Sequence, residues 1–455
     1  MGRRLRVAAV PAYLFLCLLL GGSGQGIWAN MVLQLLGLAL ICWSAVARTE
    51  QPQSKGQRTL LILVALGLAL VLAQLVPLPF SLWRALGPRE TIAADYQLLG
   101  VTPTWLPLSV APYDSLTALL ALIPPVAVLA AGFRLGIRPL PAALALVAGT
   151  LAGILLGALQ VSSPDPTTSP WYLYAETNFG VATGFFANAN HMALLLVITL
   201  PFLAAMLARA GDGKRNVQRL SGALALVAGA ALVIAVGIAL NGSLAGYGLA
   251  IPVLLASVVI AFPGRASLRW LTLLAAISMI GAVGWLSTMP IGSSAARSSA
   301  ETSVQSRHEM LVTSLEAAKN FMPFGSGVGS FQRVYALYED HDRLDPTTFV
   351  NHAHDDYVEL ALETGVPGVI LLAAFLLWWA NAAWAAWRRP RPDPFALAAS
   401  VASAAVLLHS VVDFPLRTAA ISACFAMCLV LLIRQRRAPP ADPAQLRPTR
   451  HVVVG

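Results

Sequence analysis

The sequence predicts an all-α polytopic integral membrane protein with about 12 transmembrane helices and one large helical loop on the outer side. Three observations predict it. Of 455 residues, 57% are apolar and only 11% charged, against about 25% charged in soluble domains. The mean hydropathy is +0.71. Continuous apolar runs such as residues 59–76 and 220–240 approach the roughly 20 residues a helix needs to cross the hydrocarbon core. A transmembrane barrel would instead alternate apolar and polar residues. Low-complexity, collagen-like and disulfide-scaffold classes are excluded by the same composition.

Apolar runs begin near Val7, Ile27, Thr59, Pro112, Leu140, Val181, Leu220, Leu244, Leu268, Val366, Pro394 and Leu416. The first follows Arg3, Arg4 and Arg6 and ends in the small residues 21–24, as a signal peptide does; we read it as a retained helix, because a polytopic chain needs no cleaved signal. With both termini cytoplasmic, 22 of the 30 Lys and Arg residues fall inside, which sets the orientation. The formal charge of +9 is thus a topology signal. It is no nucleic-acid footprint, since no soluble face gathers the cations.

Residues 1–287 are expected to form a membrane domain of about nine helices. Residues 288–365 form the outer loop, 366–433 the last three helices, and 434–455 a cytoplasmic tail expected to be disordered. Residues 77–111, rich in Pro and Trp, are expected to lie along the interface. Cys17, Cys42, Cys424 and Cys428 all sit in apolar runs and read as packing residues, with no His or acid beside the 424/428 pair. No internal repeat of the kind that builds inverted-repeat transporters is visible.

The outer loop holds eleven of the 21 acidic residues and four of the seven histidines. Loops this long in a compact protein usually carry function. Residues 303–321 carry a helical stripe, Val304, Leu311, Leu315 and Ala318, stopped by Pro323. Arg307 lies on the stripe's edge, either a snorkelling anchor or a ligand for an anionic headgroup. The glycine-rich run Pro323-Phe324-Gly325-Ser326-Gly327-Val328-Gly329-Ser330-Phe331 follows a helix, so it lacks the strand that precedes a dinucleotide loop. It reads as a tight helix-to-helix turn with room for close approach to a diphosphate.

The run Asn351-His352-Ala353-His354-Asp355-Asp356-Tyr357-Val358-Glu359-Leu360 carries the richest chemistry. A histidine beside carboxylates can accept a proton at neutral pH. A helix from Asn351 would set His352 over Asp356 at i,i+4. The same residues could ligate zinc or form a solvated polar loop. Two further polar groups lie within spans. Asn188 and Asn190 open the sixth span, where amides usually pair with neighbouring helices. His409, Asp413 and Arg417 recur at four-residue spacing around Pro415, either a functional group at membrane depth or a mutually neutralising cluster.

Three blocks in this order resemble the O-antigen ligase and polymerase family: Gly184-Phe185-Phe186-Ala187-Asn188-Ala189-Asn190-His191, the stretch from Arg307 through the glycine-rich run, and His354-Asp355-Asp356-Tyr357-Val358-Glu359-Leu360 with Glu363-Thr364-Gly365-Val366-Pro367-Gly368. The resemblance implies a GT-C-like bacterial inner-membrane glycosyltransferase with a periplasmic loop. It takes glycan from an undecaprenyl-diphosphate-linked donor, without metal or other cofactor.

By that resemblance His354 is the base on the acceptor hydroxyl and Arg307 holds the diphosphate. His352, Asp356, Arg333, Arg343, Asn188, Asn190 and Arg417 complete the candidate substrate-binding set. The family often has Asn where this chain has Asp355, and Ser-Arg where it has Ser243-Leu244, so a second cation would come from Arg333, Arg343 or Arg417. The acceptor is a second glycan for a polymerase or lipid A core for a ligase. Membrane lipids and other polysaccharide-assembly proteins are the further expected partners, and nucleic acid is not one. Competing classes are a secondary transporter and a noncatalytic component of a polysaccharide machine.

Overall fold

The computed structural model describes residues 2–47, 53–211, 217–262, 294–339 and 350–434. Among them, eight helices are long and apolar enough to cross a membrane, and two shorter apolar helices, Pro394–His409 and Ala419–Ile433, accompany them. The span expected near Leu268, together with Arg343 and the tail beyond 434, lies outside the described residues.

The order is α1 (Gly2–Leu20), α2 (Ile27–Val46), α3 (Lys55–Gln74), the short helices α4 (Phe80–Arg84) and α5 (Arg89–Leu98), α6 (Pro112–Ala121), α7 (Ile123–Arg134), α8 (Pro139–Val161), α9 (Ala189–Ala210), α10 (Val217–Asn241), α11 (Leu244–Ala261), α12 (Ser294–Phe321), α13 (Phe331–Tyr335), α14 (Asp356–Trp387), α15 (Pro394–His409) and α16 (Ala419–Ile433). A two-stranded antiparallel pair, β1 (Pro77–Pro79) with β2 (Trp105–Pro107), closes the segment between α3 and α6. Proline at both strand ends confines it to a short pair, as proline cannot donate to a ladder.

α9 is the central post, buried along most of its length and packed by α8, α10, α11 and α15. Small residues allow the approach, as they do where lipid removes the hydrophobic drive between helices: a Cβ on Gly246 would meet Ala193 and one on Gly237 would meet Ile154. Thr150 and Thr199 hydroxyls join α8 to α9 at 2.9 Å. α1 sends Val10, Leu14, Cys17 and Leu18 into the same core.

Three expected boundaries move. The sixth span starts at Ala189 rather than Val181, because Gln160 takes the Thr183 and Gly184 amides and holds the preceding residues as a loop. The span near Pro112 is two helices, breaking at Leu122 before a Pro-Pro pair. The helix expected over 303–321 begins at Ser294. Within α14 the backbone breaks at Gly365 (φ 61°, ψ −155°), which separates the acidic turns 356–364 from the uncharged stretch 366–387.

The Gly325, Gly327 and Gly329 backbones are left-handed (φ 76°, 110° and 84°), and a Cβ on Gly327 would collide with Ser109. Gly327→Ala is expected to destabilise by about 2–4 kcal/mol, from left-handed strain plus overpacking. Gly67→Ala, with open space around its Cβ, should leave the detergent Tm unchanged or raised. Equal Tm values for both variants would contradict this.

Candidate active site

The site forms where residues 350–355 meet the start of α14 and the turn after α15. Asp355 caps α14: its Oδ1 accepts the Tyr357 and Val358 amides at 2.9 and 3.0 Å. That cap corrects the expected helix start at Asn351. The helix begins at Asp356, and His352 shares no helical face with it. Instead His352 Nδ1 donates to Glu359 Oε1 at 2.8 Å, while Asp356 Oδ2 accepts the Ser410 hydroxyl at 2.8 Å.

His354 is the one non-glycine residue with positive φ among the described residues (52°). This left-handed backbone costs an L-residue about 1–2 kcal/mol, and strain of this kind collects where a side chain must be aimed. Its Nδ1 lies 3.1 Å from the His352 carbonyl. A carbonyl only accepts, so Nδ1 carries the proton and Nε2 keeps the lone pair. Burial pushes the imidazole below its ordinary pKa; Asp413 opposes that shift and Arg307 adds to it. His354 is therefore neutral at pH 7 and able to accept a proton.

The turn after α15 supplies a second group. The Phe414 ring packs on three imidazoles, with centroids 4.2 Å from His352 and 5.1 Å from both His354 and His191. Asp413, fully buried, accepts from Asn190 Nδ2 at 2.7 Å and from Asn188 Nδ2 at 3.4 Å. His191 and His409 Nε2 stand 3.7 and 4.0 Å from it, and none of the four nitrogens on these two buried rings has a hydrogen-bond partner. Burial opposes the Asp413 charge, but the imidazoles of His191, His409 and His354 outweigh it and hold the carboxyl well below the usual range.

Arg417 occupies a third group. Its Nη2 lies 3.0 Å from Glu363 and 3.2 Å from Glu359, and its Nε lies 3.6 Å from Asp356. Burial would lower its pKa, and the three acids more than reverse that. The glycine-rich turn closes on one of these acids, Glu363. Gly329 N donates to Glu363 Oε1, Gly327 N to the Glu363 carbonyl, Ser326 N to Leu362, Gly325 N to Phe321, Val328 N to Gln74 and Ser330 N to Gly327. Every amide from 325 to 330 thus has a protein acceptor. The expected close approach is made by the protein's own backbone, and no amide here is left for a diphosphate.

Of the expected site residues, the structure brings Arg307 of α12 within electrostatic reach of His354 and His409. It places His352, Asp356 and Arg417 in the acid cluster and Asn188 and Asn190 on Asp413. Arg333 sits apart, on the surface and paired with Asp114. Glu359, Glu363, Asp413, His191 and His409 are the polar members that sequence reasoning left outside the candidate set. The four-residue spacing of His409, Asp413 and Arg417 marked two of them, and the structure divides that trio between two clusters; His191, Glu359 and Glu363 stood within the resembling blocks.

Residues 229–373 match the family model described as O-Antigen ligase. No curated protein matches the chain. The match bears out the O-antigen ligase/polymerase resemblance read from the sequence.

Asp413→Asn removes the charge that opposes the downward shift of His354. The His354 pKa should fall further below 6.5, read by titrating histidine-selective ¹⁵N NMR signals. A rise or no change would contradict the placement of Asp413.

Proposed function

We propose that this chain, matched to the O-antigen ligase family over residues 229–373, is an inner-membrane glycosyltransferase acting at its outer face, with both termini cytoplasmic. It moves glycan from an undecaprenyl-diphosphate carrier onto an acceptor hydroxyl. The observation that carries this reading is His354: neutral, strained into the left-handed region, its Nδ1 occupied and its charge coupled to Arg307.

Displacement at an anomeric carbon requires a base on the incoming hydroxyl and positive charge on the leaving diphosphate. His354 Nε2 takes the hydroxyl proton as the new C1–O bond forms. The C1–O bond to the diphosphate breaks with its electron pair going to the leaving group, beside Arg307. Attack opposite the leaving group inverts the anomeric centre. The metal-free chemistry implied by the resemblance assigns the leaving charge to Arg307. Arg417 is bound to three carboxylates and Arg333 to one, so neither supplies free positive charge to the diphosphate.

The test is purified protein in nanodiscs with a lipid-diphosphate oligosaccharide, followed by mass spectrometry. Extended chains identify a polymerase, and transfer to added lipid A core identifies a ligase. His354→Ala should lower the rate by about 10²–10⁴-fold and Arg307→Ala by about 10²–10³-fold. The wild-type rate should fall with acid only at a pH below the ordinary imidazole value near 6.5, because the base must be neutral. Full turnover by a correctly inserted His354→Ala, or substrate flux without any new glycosidic bond, would contradict the proposal.

A further inference from the structure

The non-helical residues before α14 hang on one carboxylate. Glu359 Oε1 accepts from His352 Nδ1 at 2.8 Å, and Oε2 accepts the Ala353 amide at 2.9 Å. The carboxylate is buried, at 1% exposure, with Arg417 Nη2 3.2 Å from Oε1. The Ala353 amide and the His352 carbonyl belong to the same peptide unit. In a trans unit N–H and C=O point in opposite directions. Anchoring the N–H on Glu359 therefore turns the carbonyl outward, and there it meets His354 Nδ1 at 3.1 Å.

We propose that Glu359 is a positioning residue that selects the His354 tautomer: by taking the Ala353 amide proton it aims the His352 carbonyl at Nδ1, so that the lone pair stands on Nε2. This rests on the reading of His354 as the base. Free imidazole favours the opposite form, with the proton on Nε2, and the partner of the other nitrogen decides which form a protein holds. A ring in the free-solution tautomer would present N–H to the acceptor hydroxyl and could not take its proton. Glu359 touches neither sugar nor diphosphate in this scheme; it acts through one peptide plane.

The experiment is histidine-selective ¹⁵N NMR of the full chain in nanodiscs at pH 7.5, with His354 assigned by its own substitution, beside kinetics on the lipid-linked donor. Wild type should show His354 neutral and protonated on Nδ1. Glu359→Gln, which cannot accept with both terminal atoms, should give mixed tautomers and a kcat lower by about 10–100-fold, the range seen for the partners that orient metal-ligating histidines, with the donor KM unchanged. Should that variant not fold, Glu359→Asp carries the same expectation, since it keeps a charge beside Arg417 but withdraws from the Ala353 amide. His352→Ala retains the amide anchor and should keep the Nδ1–H form. A wild-type signal protonated on Nε2, or a Glu359 variant with the Nδ1–H form and normal kcat, would overturn the proposal. Turnover by His354→Ala would remove the base reading alone and leave the tautomer result standing.

Discussion

The candidate site depends on one guanidinium. Arg417 stands among Glu359, Glu363 and Asp356, three carboxylates whose burial would be prohibitive without a paired cation. Each acid then holds something else. Asp356 fixes the turn after α15 through Ser410, Glu359 fixes the residues that carry His354, and Glu363 fixes the glycine-rich turn. Removing one partner from a buried charged set of this kind costs about 3–5 kcal/mol, so the site's geometry and the loop's stability share a single origin.

The same short turn supplies the site's opposite pole. Four residues before Arg417, Asp413 gathers two asparagine amides and the neighbourhood of three imidazoles, and Phe414 forms the floor on which His191, His352 and His354 lie. His354 is thereby exposed to two competing influences. Burial and Arg307 favour its neutral form, and Asp413 steadies the imidazolium that appears once a proton arrives. A base that is neutral at rest and has a counter-charge in place is suited to proton abstraction. The strain at His354 is small beside the hydrogen bonds that hold the turn, which is how such a backbone persists.

Much of this was legible in the sequence. Apolar run lengths and the distribution of Lys and Arg predicted a polytopic helical chain, and the concentration of acids and histidines pointed to the outer loop. The His354 to Glu363 stretch was visible as chemistry. What periodicity could not show was which neighbour each group takes. Asp355 and Asp356 are alike in composition, yet one caps the helix and the other joins Arg417, a distinction made by the chain direction at the cap. Arg417 reads as a spare cation until three acids from another helix close on it. The glycine-rich run suggests an anion cradle until its amides are counted against acceptors contributed by Gln74, Leu362 and Glu363, residues up to 254 positions away. Long-range pairing of this kind leaves no local signal.

The most direct measurement is the structure of this protein with a nonhydrolysable lipid-diphosphate glycan bound. The diphosphate should lie against Arg307, with the anomeric carbon facing the space before His354 Nε2 and the 325–330 amides still on their protein acceptors. A diphosphate seated on the glycine-rich turn or on Arg417, with His354 remote from the sugar, would contradict this placement.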